Sequence, residues 1–282
     1  MRLLIDHRTV YSYSGPAAGI VQLLRLTPRA SDAQAILHWR VDVEADGVLQ
    51  PFTDALGNRA HMFYADHPVS TLVIHVAGEV LTTDTAGVVG LESGMPPALF
   101  LRSTPLTAAD PAILAFAGGV RAAEPLDTAH ALMAAIHDRL VFDPDATHVA
   151  TDAASAFRLG RGVCQDLAQV MMSAARALGM PARYVSGHYA APDHPEQEAA
   201  HAWVELYLPD LGWVAFDPTH GICAGESHVP VAIGFDSLDA APVRGTRRGG
   251  GEERLTVLVH GREAGARQSQ RSGTTVGQGG QQ

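Results

Sequence analysis

The 282-residue sequence predicts an α+β protein: a small antiparallel β-sandwich at the N-terminus, then a larger unit in which helices precede strands. Three observations lead there. Residues 1–85 carry β-like runs separated by turn residues, residues 126–178 carry helical spacing, and alternation returns from residue 182 onward.

In the first block, Thr9, Tyr11 and Tyr13 alternate with Val10, Ser12 and Ser14. Segment 36–44 (ILHWRVDVE) is rich in β-branched and aromatic residues, and 70–81 (STLVIHVAGEVL) is long enough for a strand pair or one bent strand. Asp46-Gly47 and Leu56-Gly57-Asn58 supply turns between them. Short strands at this spacing suit a sandwich. Gly, Pro and Ser in 86–104 mark a linker, which leaves 105–260 as the second unit. Residues 261–282 hold almost no apolar side chains and read as a disordered tail.

In 126–140, Leu126, Ala129, Leu132, Met133, Ile136 and Leu140 fall on one helical face, and 152–159 suits a short helix. A stronger helix runs from about Cys164 to Leu178, with Leu167, Met171, Ala174 and Leu178 as its apolar stripe and Gly179 then Pro181 as its stop. Strands are expected at 182–189, 201–207, 213–217 and 254–260.

Composition removes several function classes. Hydrophobic residues make up 46% of the chain, enough for a core. The net charge of -10 speaks against a nucleic-acid or anionic-membrane surface. All 20 basic residues are Arg, so the chain offers no Lys amine. Two cysteines, Cys164 and Cys223, cannot build a disulfide framework. The N-terminus turns polar after three apolar residues, and no run of 18 apolar residues exists, so a soluble, cytoplasmic protein is expected.

The chemistry centres on Cys164. A thiol in the first turn of a helix feels the positive end of the macrodipole and unpaired N–H groups, both of which favour thiolate. A lone cysteine is more often an inert core residue, but a second motif changes the weighing. His201 opens HAWVELYLPDLGWVAFDP, a hairpin whose returning strand ends at Asp217. With a loop over 207–211, residue pairs sum to 418 and His201 lies directly opposite Asp217. Cys164, His201 and Asp217 then form a nucleophile, its base and the base's orienter. Trp203 and Trp213 suit packing walls better than binding platforms; Trp203 shares the His201 face and is also placed as a residue lining the cleft, and Gln165 is expected to contact it. Asp166 is assigned a helix-capping role, and His148 and His220 a place either at the surface or behind the site residues. No metal site is expected: HxH, HExxH and CxxC are absent, and the 142–145 acidic run lacks the Gly and terminal Glu of a calcium loop. Cys223 has no evident base and receives no role.

The blocks GRGVCQDLAQVMMSAARALGMPARYVSG, HAWVELYLPDLGWVAFDPTHG and VRGTRRGGGEERLTV resemble the core of bacterial transglutaminase-like proteins. HRTVYSYSGPAAGIVQLLRLTPR, with LGN at 56–58, resembles the β domain that accompanies that core. The resemblance implies a papain-like cysteine-proteinase fold for the second unit, no cofactor, and Cys164, His201 and Asp217 as the catalytic triad. It also implies acyl transfer from a peptide or protein amide through a thioester, to water or to an amine acceptor. Two positions depart from the pattern. Phe235 and Ser237 stand where a polar residue and an aromatic are expected, and His188 replaces an aromatic after Ser186-Gly187. The alternative reading is a catalytically silent protein that uses the same cleft, or the β domain, for binding.

Overall fold

The computed structural model describes residues 1–90, 94–190 and 200–264. The N-terminal unit is built on one long strand, β1 (Arg2–Thr27), followed by β2 (Gln34–Glu44), β3 (Val48–Thr53), β4 (Arg59–Ala65) and β5 (Val69–Thr82). All pairings are antiparallel, in the order β2-β5-β1-β4-β3. Residues 2–12 of β1 pair with β5, and residues 20–27 with β4. The change of partner falls at Gly15-Pro16, where proline has no N–H to donate, and at Gly19, whose φ of 60° bends the strand. The sheet thereby folds back on itself. Tyr11, Leu72, Ile74 and Val76 from one half pack against Ile20, Leu24, Leu26 and Phe63 from the other. One continuous sheet makes both layers of the sandwich, where the sequence suggested separate short strands.

The second unit begins inside the segment expected to be a linker. β6 (Val88–Gly90) pairs with a core strand, and Phe100, in a 3₁₀ turn at Pro97–Leu101, is buried. Next come α1 (Pro111–Val120), α2 (Pro125–Arg139), β7 (Val141–Phe142), α3 (Ala153–Leu159), β8 (Arg161–Gly162) and α4 (Cys164–Ala177). Asp110 and Asp152 cap α1 and α3 by accepting the N–H groups of Ile113 and Ser155. Gly160, with φ at 70°, ends α3. The strands β9 (Ala182–Tyr189), β10 (Ala200–Leu208), β11 (Gly212–Asp217), β12 (Ile222–Cys223) and β13 (His228–Gly234) form an antiparallel sheet in the order β12-β11-β10-β9-β13.

Helix α4 lies on one face of this sheet. Its Leu167, Val170 and Met171 pack with Tyr184, Val204, Leu206 and Phe216, and with Ile113, Leu132, Ile136 and Phe157 from the other helices. The opposite face buries Val185, Trp203, Trp213 and Ile233 against Phe100. At the far end of α4, the buried Arg176 donates to the carbonyls of Phe100, Ala182 and Phe235 and to the Thr107 hydroxyl. Burial pulls this guanidinium down to about 10, against the opposing charge of Asp236. The cation ties the helix end to the sheet and to the 3₁₀ turn.

The last expected strand belongs elsewhere. β14 (Val243–Gly249) and β15 (Glu253–Glu263) pair with β1 in the N-terminal sheet, so 254–260 is not part of the second unit. The physical reason is the free edge. Without this hairpin, β1 would expose one flank over most of its length, a template for unwanted pairing. β15 also continues to Glu263, past the boundary expected for the tail, whose residues 265–282 lie outside those described.

The two units share an interface. Leu3, Ile5 and Val80 pack with Ala190 and Val229. Asn58 accepts the N–H of Ile233 at 2.8 Å and donates to its carbonyl at 2.9 Å. His188, one of the two departures noted in the sequence, sits here at ring-contact distance from His7 and Trp39.

Candidate active site

The local sequence around Cys164 explains its placement. Asp166, in the first turn of α4, folds back so that its Oδ2 accepts the N–H of Val163 at 2.8 Å and the hydroxyl of Thr147 at 2.6 Å. A Cβ at Gly162 would lie 2.5 Å from that same Oδ2, so only glycine leaves room for the capping carboxylate. Burial raises the carboxyl pKa of Asp166, with the two hydrogen bonds opposing it. Asp166 therefore caps the helix, as its position suggested, and Cys164 stands half-buried at the positive end of α4.

His201 reaches Asp217 by a different register from the one expected. The observed pairs are Val204 with Phe216, Leu206 with Val214 and Leu208 with Gly212. Asp210 adopts a left-handed φ of 67°, followed by Gly212 at 75°, which tightens the turn to residues 209–211. The register slides by two residues, so Asp217 lies diagonal to His201 and not opposite it. A slip of two keeps both side chains on the same face. His201 Nε2 accordingly donates to Asp217 Oδ2 at 2.7 Å. Cys164 is the other group that acts on this ring, raising its pKa alongside Asp217.

This imidazole is buried, which opposes its charge. Hydrogen bonds to Asp217 and Cys164, and the charges of both, outweigh burial and push His201 up to about 10. Burial likewise opposes charge on Asp217, but hydrogen bonds from His201, His220 and His228 hold its carboxyl far below the usual range.

Of those donors, His220 takes the place behind the site residues that was one of its two expected roles, and the sequence does not single out His228. His220 Nδ1 reaches Asp217 Oδ2 at 2.6 Å, and His228 Nε2 reaches it at 3.1 Å. His220 lies three residues after Asp217, in a turn whose N–H groups at 219 and 220 cap Asp217 Oδ1, a signal the sequence does contain. His228 lies on β13, a strand without a clear alternating signature. Tyr189 completes the cluster: it stacks on His220 at 4.4 Å between ring centroids and lies 4.8 Å from His228.

The remaining expected residues divide. Gln165 is half-buried beside Cys164, with its Nε2 donating to the Val149 carbonyl at 3.4 Å. Trp203 shares the His201 face, but at 1% exposure it is no cleft surface. Its indole lies over Gly187, where a Cβ would come within 2.6 Å of the ring, and it backs His201 and His228 from the interior. His148 is exposed. Asp143 pairs with Arg161 at 3.2 Å, so the acidic run has a cationic partner within the chain. Burial raises the thiol pKa of Cys223, the opposite of activation. Phe235 stacks on Phe100, and the Ser237 hydroxyl donates to Gln169 at 3.1 Å, so both residues of this departure make contacts within the fold and not with the Cys164 site.

Among the described residues, His201, Asp217 and His220 form one group of metal-ligating composition, with ligand atoms within 4.8 Å of one another. Hydrogen bonding accounts for the same contacts: a carboxylate only accepts, so each ring nitrogen on Asp217 donates a hydrogen there, where a metal would need its lone pair.

Residues 115–218 match the family described as the transglutaminase-like superfamily, and residues 3–81 match the bacterial transglutaminase-like N-terminal region. An uncharacterised protein of Mycobacterium leprae is 28% identical over 92% of this chain and 97% of its own length. A protein-glutamine gamma-glutamyltransferase of Pseudomonas aeruginosa is 34% identical, over 36% of this chain and 18% of its own. Among solved structures, a candidate cysteine protease from Cytophaga hutchinsonii superposes with a TM-score of 0.75 at 21% identity, covering 93% of this chain and 90% of that one. The likeness extends over both units of the fold.

Proposed function

Because the chain belongs to the transglutaminase-like superfamily and carries the bacterial N-terminal region of that group, we propose that it is a cysteine-dependent acyl-transfer enzyme acting on amide bonds. One observation carries the reading: a single buried imidazole, His201, is hydrogen-bonded to a fully buried carboxylate and has its pKa raised by the helix-start thiol of Cys164. In this reading Cys164 is the nucleophile, His201 the acid and base, and Asp217 the orienter.

The Cys164 thiolate attacks the amide carbonyl carbon, forming the C–S bond and a tetrahedral oxyanion. The N–H groups of Cys164 and Gln165, the first two of α4, are the donors this reading places against that developing charge. The C–N bond breaks as His201 gives its proton to the leaving nitrogen, and a thioester remains. Water or a primary amine then attacks the thioester carbonyl. His201 takes the proton and Cys164 leaves as thiolate. Asp217 keeps the ring oriented and offsets its charge throughout. Gln165, beside the nucleophile, is the residue we place against the substrate.

The test is a panel of glutamine-containing peptides and simple peptide amides, incubated with and without a primary amine and followed by mass spectrometry. The expected result is Cys164-dependent loss of ammonia or peptide cleavage, with the amine arm dividing hydrolysis from transamidation. Turnover that persists in a folded Cys164→Ala variant would refute the assignment.

A further inference from the structure

Asp217 is fully buried and accepts five N–H groups: the backbones of 219 and 220 on Oδ1, and His201, His220 and His228 on Oδ2. An orienting carboxylate needs one imidazole. Two more on the same oxygen call for an account, and the protons supply one.

His228 is the informative member. Its Nδ1 accepts the N–H of Gly225 at 3.1 Å, so that nitrogen bears no hydrogen. Its Nε2 must then be the protonated one, donating to Asp217. The ring is a neutral donor with its tautomer set by a backbone amide. Its surroundings agree with a neutral form. The side chain is 2% exposed, and the ring meets Trp203 edge-to-face at 5.1 Å and Tyr189 at 4.8 Å. Burial is the main cause that lowers its pKa, and the nearby His201 and His220 lower it further, against Asp217. His220 differs: its side chain is 37% exposed, with its ring lying flat on Tyr189.

We propose that His228 is a positioning residue for the Cys164–His201–Asp217 site, a tautomer-locked donor that fixes Asp217 Oδ2 while leaving the imidazolium charge to His201, with His220 as its solvent-facing counterpart. The proposal rests on the acyl-transfer reading. It adds a proton assignment: of the three rings on one carboxylate, His228 is barred from taking the charge by Gly225. The backbone N–H groups of 219 and 220 hold Oδ1, and a shift of Oδ2 alone would still let the base tilt away from the thiol, a small misplacement of a reacting group that is costly in rate.

The experiment reads the alkylation rate of Cys164 with iodoacetamide at pH 6.5 by peptide mass spectrometry, with Cys223 in the same chain as an internal control for folding. His228→Gln keeps an amide N–H at the reach of Nε2, whereas His228→Asn places its amide near Nδ1, too short for Asp217. The expected result is a Cys164 rate roughly tenfold or more slower in His228→Asn, the loss of one hydrogen bond to a charged group. His228→Gln should recover to within about threefold of wild type, and His220→Phe, which keeps the stacking face, should fall between them. The Cys223 rate and the melting temperature should be alike in the Asn and Gln variants. Equal Cys164 rates in those two variants would overturn the proposal, whether both are fast or both slow. Failure of the underlying reading looks different: wild-type Cys164 would itself react no faster than Cys223.

Discussion

Two buried histidines in this protein, His201 and His188, sit 13 residues apart, and their surroundings drive their pKa values in opposite directions. His201 is pushed up to about 10, while burial drives His188 down to about 3, with His7 adding to the shift. Both rings are enclosed by protein, so burial does not separate them. Partners do. His201 lies between a carboxylate and a thiol; both ring nitrogens of His188 are buried without a hydrogen-bond partner, among His7, Trp39 and the apolar contacts of the inter-unit interface. The same residue type thus makes an acid–base centre in one place and a neutral packing group in the other. The carboxylate decides which.

The largest expected effect comes from removing one side of the centre. His201→Ala should lower kcat/KM by roughly 10³-fold or more, since both proton transfers are lost. Asp217→Asn should be less damaging, because the ring remains and His220 and His228 still hold the neighbouring side chain in place. Steady-state kinetics on the first substrate found checks this ranking, and equal losses would show that Asp217 does more than orient.

The second effect is on stability against pH, and the two kinds of histidine give it opposite signs. For His7 and His188 the folded values, about 4 and about 3, lie below the ordinary 6.5. Their contribution is present above pH 6.5 and lost as pH falls through those folded values, with a slope of roughly 1.4 kcal/mol per pH unit for each ring that charges only on unfolding. For His201 the contribution is present below 6.5 and lost as pH rises through about 10. Denaturant midpoints from pH 7 to pH 3.5 should therefore fall steeply in the wild type and more gently in His188→Leu. That variant should be at least as stable at pH 7, because it removes two unsatisfied buried nitrogens. An unchanged slope would mean that the interface opens to solvent before His188 titrates.

The smallest expected effect is that of a chelator. The ring nitrogens around Asp217 carry protons, so EDTA should leave turnover unchanged within error. Inactivation by EDTA that zinc or calcium reversed would replace the hydrogen-bonded cluster with a metal centre.

Much of this site was legible in the sequence, for a physical reason. Cys164 and Asp166 act within one helix turn, and a Gly179–Pro181 stop closes the helix locally, so spacing alone reveals them. His201 and Asp217 sit on adjoining strands of a hairpin, where even the wrong register kept the right face. The register itself was hidden, because Asp210 takes a left-handed conformation that favours glycine. The address of distant strands was hidden too. Nothing local to residues 253–263 says that they pair with 3–13, although their strand character is plain. His228 combines both problems: its strand is short and weakly patterned, and its task exists only once β13 brings it beneath Asp217.

The central claim is the protonation state of His201, and ¹⁵N NMR of the histidine rings measures it directly. In wild-type protein with ¹⁵N-labelled histidine, His201 should show both ring nitrogens protonated from pH 6 to pH 9 and titrate near 10, while His188 stays neutral down to about pH 4. Assignment follows from the loss of each signal in His201→Ala and His188→Leu. A His201 ring that is neutral at pH 7.5, or that titrates near 6.5 as a free imidazole does, would contradict the account.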